Sequence, residues 1–216
     1  MRALSIANIE EKRYEYIPFS RKFKEAFGNR EKGGIWIVFG KSGMGKTRFT
    51  LDLAKEFDSL GYSVLFASLE MGVCSDFQQE LKASGIRSKT SRIKVQEELT
   101  VQELSDMLGK QRSPNVVIID SIQYFVEQYG AKAKEIIQLR KKYPSKIFVF
   151  ISHVVGKEVE GQDAYDVKRD SFVRIKIEGY RAIYQGRAKG GEKGYYTIWE
   201  EGARKYWLED ETAEKT

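Results

Sequence analysis

The chain has one cysteine, one histidine and three prolines among 216 residues. A lone Cys74 excludes a disulfide within the chain. With only His153 beside it, a zinc site of cysteines and histidines has too few ligands. Both scarcities fit a reducing, intracellular setting, and a cytoplasmic protein is expected. Scarce proline leaves no stretch that reads as an interdomain linker. No apolar run reaches the roughly 18 residues that suggest a membrane span, and the first residues lack the pattern of a signal peptide. Repeats and low-complexity tracts are also missing.

The composition suits a folded, non-membrane protein. A hydrophobic content of 41% suffices for a core, and the length suits one α/β domain. A net charge of +6 favours an anionic partner, and nucleotide and nucleic acid both qualify. Three parts are expected: a leader or oligomerisation segment over 1–30, a domain over 31–208 and an acidic tail over 209–216.

Periodicity alternates between strand and helix. Strands are predicted over 35–39, 63–68, 92–95, 115–120 and 146–152, with helices over 48–60, 75–83, 100–111 and 131–142 between them. Such alternation demands a mainly parallel sheet covered by helices. Thr100 with Glu103 three residues on is a capping-box pattern. Residues 13–27 read as a short helix stopped by Gly28. Residues 156–171 read as a polar loop. Segments 172–177, 180–185 and 195–199 alternate with period two and predict an antiparallel meander, with 204–208 pairing back across a Glu201-Gly202 turn.

The chemistry sits at predicted strand tips. Gly40, Lys41, Ser42, Gly43, Met44, Gly45, Lys46 and Thr47 match the phosphate-cradling pattern G-x-x-x-x-G-K-[ST] between a buried strand and a helix that opens at Arg48. Glycines let the backbone turn several N–H groups toward one phosphate, and the helix terminus adds partial positive charge. Lys46 can reach the β- and γ-phosphates of ATP, and the Thr47 hydroxyl can ligate Mg²⁺. Asp120 ends a wholly apolar strand and can hold the same Mg²⁺ through water, or simply cap a helix. Glu70 follows the strand over 63–68 and can activate a water for hydrolysis. His153 ends the strand over 146–152 and can sense the γ-phosphate or plug the strand tip.

Three strings together look like the RecA-like ATPases: residues 40–47, Ser68-Leu69-Glu70-Met71, and Ile119-Asp120-Ser121-Ile122-Gln123. The Ser-Leu-Glu-Met string resembles the DnaB-type replicative helicases. Asp-Ser-Ile-Gln, with Ser152-His153-Val154 and then Lys157 and Gly161, resembles the RadA branch of DNA-repair ATPases. The resemblance covers about residues 30–190. It implies an α/β, three-layer RecA-like P-loop NTPase with a mainly parallel central sheet and a C-terminal antiparallel meander. A stand-alone motor core, of the kind plausible in phages and other mobile elements, is the form expected. It also implies ATP held between subunits of a ring or filament, with a neighbour's basic finger completing the site. The comparable segment here holds Arg187 and Lys189 in the reverse of the familiar order, so either can be the finger.

By the same resemblance, DNA, single-stranded for preference, meets the loops after Asp120 and His153. The candidate cations are Lys132, Lys134, Lys157, Lys168 and Arg169, with Tyr124 and Phe125 either stacking on bases or packing in the core. Glu158, Glu160, Asp163, Asp166 and Asp170 offset the charge of the second loop. Phe23-Lys24-Glu25-Ala26 fits the pattern by which recombinase subunits dock on one another, though ordinary packing of Phe23 is favoured. The expected activity is a Mg²⁺-dependent, DNA-stimulated ATPase of recombination, repair or replication. A nucleotide-gated scaffold without DNA affinity and a small-molecule phosphotransferase are the alternatives.

Overall fold

The computed structural model describes residues 3–86, 89–186 and 194–213, with side chains as far as residue 208. Two short N-terminal helices, α1 (Ile6–Glu10) and α2 (Arg21–Phe27), precede the sheet. The chain continues through β1 (Gly34–Gly40), α3 (Lys46–Ser59), β2 (Val64–Ser68), α4 (Ser75–Ser84), β3 (Ile93–Gln96), α5 (Val101–Leu108) and β4 (Val116–Asp120). Then come α6 (Ile122–Glu127), α7 (Ala133–Lys142), β5 (Ile147–Ser152), a hairpin of β6 (Val154–Val155) and β7 (Glu158–Val159), and α8 (Gln162–Asp170). The described part closes with β8 (Val173–Glu178), β9 (Arg181–Tyr184), β10 (Tyr195–Thr197) and α9 (Glu200–Ala213).

Eight strands form one sheet in the order β10-β9-β8-β1-β5-β4-β2-β3. From β3 to β8 the pairings are parallel, and β8, β9 and β10 form an antiparallel meander at one edge. Strands β1, β2, β4 and β5 are buried along their whole length, as strands covered on both faces must be. One face packs Trp36, Val38, Phe49, Phe57 and Phe66 under α3. The other packs Ile35, Ile37, Ile119, Ile136 and Phe150 under α5 to α8. Alternate residues of one strand therefore feed two separate cores, the consequence of period two in a sheet. Since β1 and β2 lie on opposite sides of β5 and β4, their carboxyl ends open a crevice at the switch point.

Local signals place several boundaries. Thr100 caps α5 and exchanges hydrogen bonds with Glu103, N–H to Oγ1 at 3.2 Å and N–H to Oε2 at 2.8 Å. Gly85 ends α4 in the left-handed region at φ +68°. Gly28 ends α2 at φ +66° and ψ −163°, an extended turn of the chain that also needs a positive φ. That helix buries Phe23, Ala26 and Phe27, and Phe23 stacks on Tyr196 of the meander at 4.7 Å between centroids. Phe23 and Ala26 thus fill the chain's own core. Helix α1 buries nothing.

The structure corrects three expectations. Residues 156–171 are not a loop: they hold the tip of the β6–β7 hairpin and the helix α8. Two buried residues, Ala164 and Val167, carry that helix, and so narrow an apolar stripe is lost among its charges. Residues 204–208 are helical in α9, not a fourth meander strand. Gly202 is no turn: a Cβ there would stand 2.2 Å from the Trp199 ring, so glycine admits close packing within the helix start. Trp207 Nε1 donates to the Gly179 carbonyl at 3.1 Å and ties α9 to the β8–β9 turn. Finally, residues 122–127 form α6, with Phe125 fully buried and Tyr124 still 37% exposed.

Candidate active site in the strand-tip crevice

The loop after β1 is built on glycine. A Cβ at Gly40 would lie 2.3 Å from the Ile177 carbonyl of β8, so no other residue lets β1 and β8 pair this closely. Gly45 caps α3 at φ +91°, a conformation costly for any side chain. Helix α3 then starts at Lys46, two residues earlier than its pattern predicts, and points its free N–H groups into the loop.

Three more strands, β2, β4 and β5, deliver Glu70, Asp120 and His153, and α3 delivers Arg48. Residues of the loop, with Arg48, Glu70, Asp120 and His153, line one cleft of about 440 Å³. The backbone N–H groups of Leu69 and Glu70 both donate to the Asp120 carbonyl, at 2.7 and 3.0 Å, which fixes one acid beside the other. Thr47 Oγ1 donates to Asp120 Oδ2 at 2.9 Å. Glu70 Oε2 and His153 Nε2 are 2.8 Å apart. Lys46 Nζ donates to the Lys41 carbonyl at 3.1 Å, folded back on its own loop.

Electrostatics follow from this burial. Asp120 is 4% exposed, and desolvation pushes its carboxyl up to about 6 despite the Thr47 hydrogen bond. Burial pulls the Lys46 ammonium down, against the attraction of Asp120 and Glu70. The hydrogen bond from His153 holds Glu70 below its ordinary value, and the same bond raises His153. A buried acid, a buried cation and an acid–imidazole pair within one cleft form a constellation poised for a polyanion and a hard cation. Thr47 and Asp120 are oxygen donors a hydrogen-bond length apart, the donor set that suits Mg²⁺ completed by water and phosphate. Among the described residues, no group of three or more histidine, cysteine or acidic side chains is arranged to hold a metal by itself.

Sequence reasoning assembled this crevice from four strand tips but missed its far wall. Met71, Asp76, Gln79 and Glu80 of the β2–α4 segment also line it. Met71 ends the Ser-Leu-Glu-Met string, but no short motif marks Asp76, Gln79 and Glu80; only the packing of α4 on α3 brings those three in. The Arg48 guanidinium makes that contact, with Asp52 and Glu80 each at 3.6 Å and a hydrogen bond to the Ala83 carbonyl.

The candidate nucleic-acid cations scatter. Lys157 at the hairpin turn and Lys168 on α8 line a second cleft of about 810 Å³ with Lys41, Met44 and Lys176. Lys168 is paired with Glu158 at 2.8 Å and lies over the Phe39 ring at 4.3 Å. Lys132, Lys134 and Arg169 do not line that cleft. Lys132 Nζ is 3.9 Å from Asp163, Arg169 is 4.0 Å from Asp166, and Lys134 is exposed on α7. Arg187 and Lys189 lie outside the described residues.

Comparison with known proteins agrees with this geometry. The chain is 29% identical to the DNA repair protein RadA of Chlamydia muridarum over 91 residues, 42% of this chain and 19% of that protein. It is 29% identical to the DNA repair and recombination protein RadB of Methanosphaera stadtmanae over 102 residues, 44% of each. The matches thus span less than half the length of either relative. Among solved structures, the ATPase domain of G40P superposes with a TM-score of 0.54 at 14% identity, over 75% of this chain and 79% of that one. The fold is therefore that of the RecA-like P-loop ATPases. The profile of the DnaB-like helicase C terminal domain matches residues 21–158, well over half of the length. This chain belongs to the family of DnaB-like helicase C-terminal domains.

Proposed function

We propose that the protein is a Mg²⁺-dependent ATPase that acts on single-stranded DNA as a homo-oligomer. The observation that carries this reading is the joint placement of Lys46, Thr47, Asp120, Glu70 and His153 around one cleft beside a helix N-terminus. The loop amides and Lys46 bind the β- and γ-phosphates. Thr47 and Asp120 are the residues that would hold Mg²⁺, whose chemistry is to neutralise charge on the phosphate oxygens. Glu70, kept ionised by His153, orients a water and takes its proton as the water oxygen bonds to the γ-phosphorus and the bond to the β–γ bridging oxygen breaks, releasing ADP and phosphate. His153 Nε2 is then free to donate to the phosphate. Arg187 or Lys189 of a neighbouring copy supplies the remaining positive charge.

The DNA-acting part is supported by the family and by the names of the two repair relatives. The cleft that gathers Lys41, Lys157, Lys168 and Lys176 next to the phosphate loop supplies a basic face for the strand. One observation favours the second reading, a nucleotide-gated scaffold without DNA affinity. Lys168 and Lys176 are already ion-paired, with Glu158 and Glu178 at 2.8 and 2.7 Å. ATP turnover measured with and without single-stranded DNA at low salt separates the two. Stimulation supports the DNA motor. Turnover unchanged by DNA, together with no DNA binding, supports the scaffold.

A further inference from the structure

Gln123 does no work in the mechanism above, yet its side-chain amide makes three hydrogen bonds beside the crevice. It is buried at the start of α6 and bonds with both ends of its amide. Its Nε2 donates to Ser152 Oγ at 3.0 Å and to the Glu160 carbonyl at 2.7 Å. Its Oε1 accepts the His153 backbone N–H at 3.2 Å. Ser152 Oγ donates onward to the His153 carbonyl at 2.9 Å, and Glu160 N–H donates to that same carbonyl at 3.0 Å. One amide thus joins the strand tip that bears His153 to the end of the β6–β7 hairpin. That hairpin bears Lys157 at its turn and, through Glu158, holds Lys168. Val159 anchors it in the core while Val155, Gly156 and Lys157 stand exposed, so the hairpin has a fixed base and a free tip.

We propose that Gln123 is a positioning residue that couples occupancy of the phosphate site to the setting of the β6–β7 hairpin and its basic cleft. The coupling rests on the nucleotide-binding reading above, but not on its DNA-acting part. His153 Nε2 lies 2.8 Å from Glu70 Oε2. A γ-phosphate beside Lys46 competes for that imidazole, and any shift of the His153 backbone is felt at Gln123 Oε1 and at the Glu160 N–H. Gln123 cannot follow His153 without dragging the Glu160 carbonyl, because one planar amide makes both bonds. A purely structural glutamine would tie two segments equally in every nucleotide state. A coupling glutamine makes the hairpin answer to the nucleotide.

The test is amide hydrogen exchange across residues 153–160 in the full chain, with and without magnesium and a non-hydrolysable ATP analogue. In the wild type, the analogue is expected to change exchange of the hairpin amides severalfold. In Gln123→Met, which keeps the volume and loses all three bonds, nucleotide still binds and the change in the hairpin is lost. Gln123→Glu keeps the acceptor for His153 and loses the donor to Glu160. It is expected to preserve the response at the His153 amide and lose it beyond Val155, a split that general destabilisation does not produce. A wild-type hairpin indifferent to bound nucleotide overturns the proposal, as does a response retained in Gln123→Glu, which also decides the matter if Gln123→Met fails to fold. Failure of nucleotide to bind the wild type condemns the ATPase reading instead. Absence of DNA binding, with the hairpin response intact, condemns only the DNA motor.

Discussion

Glu70 and Asp120 are two carboxylates side by side with opposite environments, and the roles proposed for them divide accordingly. Glu70 shares a hydrogen bond with His153 that holds its carboxyl below the ordinary value, as the proposed base requires. Replacing it by Gln is expected to lower turnover by about 10²–10⁴-fold, the usual worth of a positioned base, while leaving nucleotide affinity near the wild-type value. Phosphate release and equilibrium binding, measured on the same preparation, check both halves. Asp120 is different: burial raises its carboxyl from 3.8 to about 6. Between those values the folded, ligand-free chain binds the proton that the unfolded chain has lost, so stability falls as pH rises through that window. Thermal melts of the ligand-free protein from about pH 4 to about pH 7 should show that slope, and Asp120→Asn should flatten it. The placement of the loop and of Asp120 in the crevice was legible in the sequence because each is a polar group ending an apolar run. Gln123 was read only as part of a string, since its three partners lie 29 to 37 residues away and only the fold brings them together.

At the level of elements, the parallel core was readable wherever burial is complete. β1, β4 and β5 are almost unbroken apolar runs, and Thr100 and Gly85 mark ends by local chemistry alone. Elements with little apolar surface were not readable. Helix α8 buries two residues in nine, and α6 is only six residues long. Helix α9 carries Tyr206, Trp207 and Leu208 in a row, so aromatic residues that favour strands end up helical because they pack on the β8–β9 turn. Helix α2 makes the sharpest prediction at this scale. Phe23 is 5% exposed and packs on Phe19, Phe27 and Tyr196. Phe23→Ala should cost about 3–5 kcal/mol of stability, the range for deleting a buried ring. Chemical unfolding measures it. A residue serving instead to dock subunits would leave monomer stability unchanged and weaken assembly.

The whole molecule is a sheet whose switch point holds the crevice, proposed here as one half of a site. In the proposed function the described residues are to supply phosphate binding, metal ligands and a base, while the finger, Arg187 or Lys189, is to come from a neighbour. Assembly of that kind has a signature that no single chain can imitate. Lys46→Ala alone and the double variant Arg187→Ala with Lys189→Ala should each be inactive. Mixed in equal amounts and exchanged, they should recover about a quarter of wild-type turnover, because one interface in four then pairs an intact loop with an intact finger. Recovery absent at every mixing ratio would place the finger within its own chain or remove it from the chemistry. One loop lines both clefts, Gly40, Lys41 and Met44 facing the basic one and Ser42, Gly43, Gly45, Lys46 and Thr47 the phosphate one, so what binds one is placed to alter the other.

Everything proposed for the crevice depends on its taking up a magnesium nucleotide. Titration calorimetry of the wild type and of Lys46→Ala with ATP, in the presence of magnesium and then of a chelator, measures that directly. Saturable binding by the wild type that weakens at least tenfold in chelator and by a similar factor in Lys46→Ala is the predicted result. Equal affinity in all three conditions, or none in the wild type, would contradict the account.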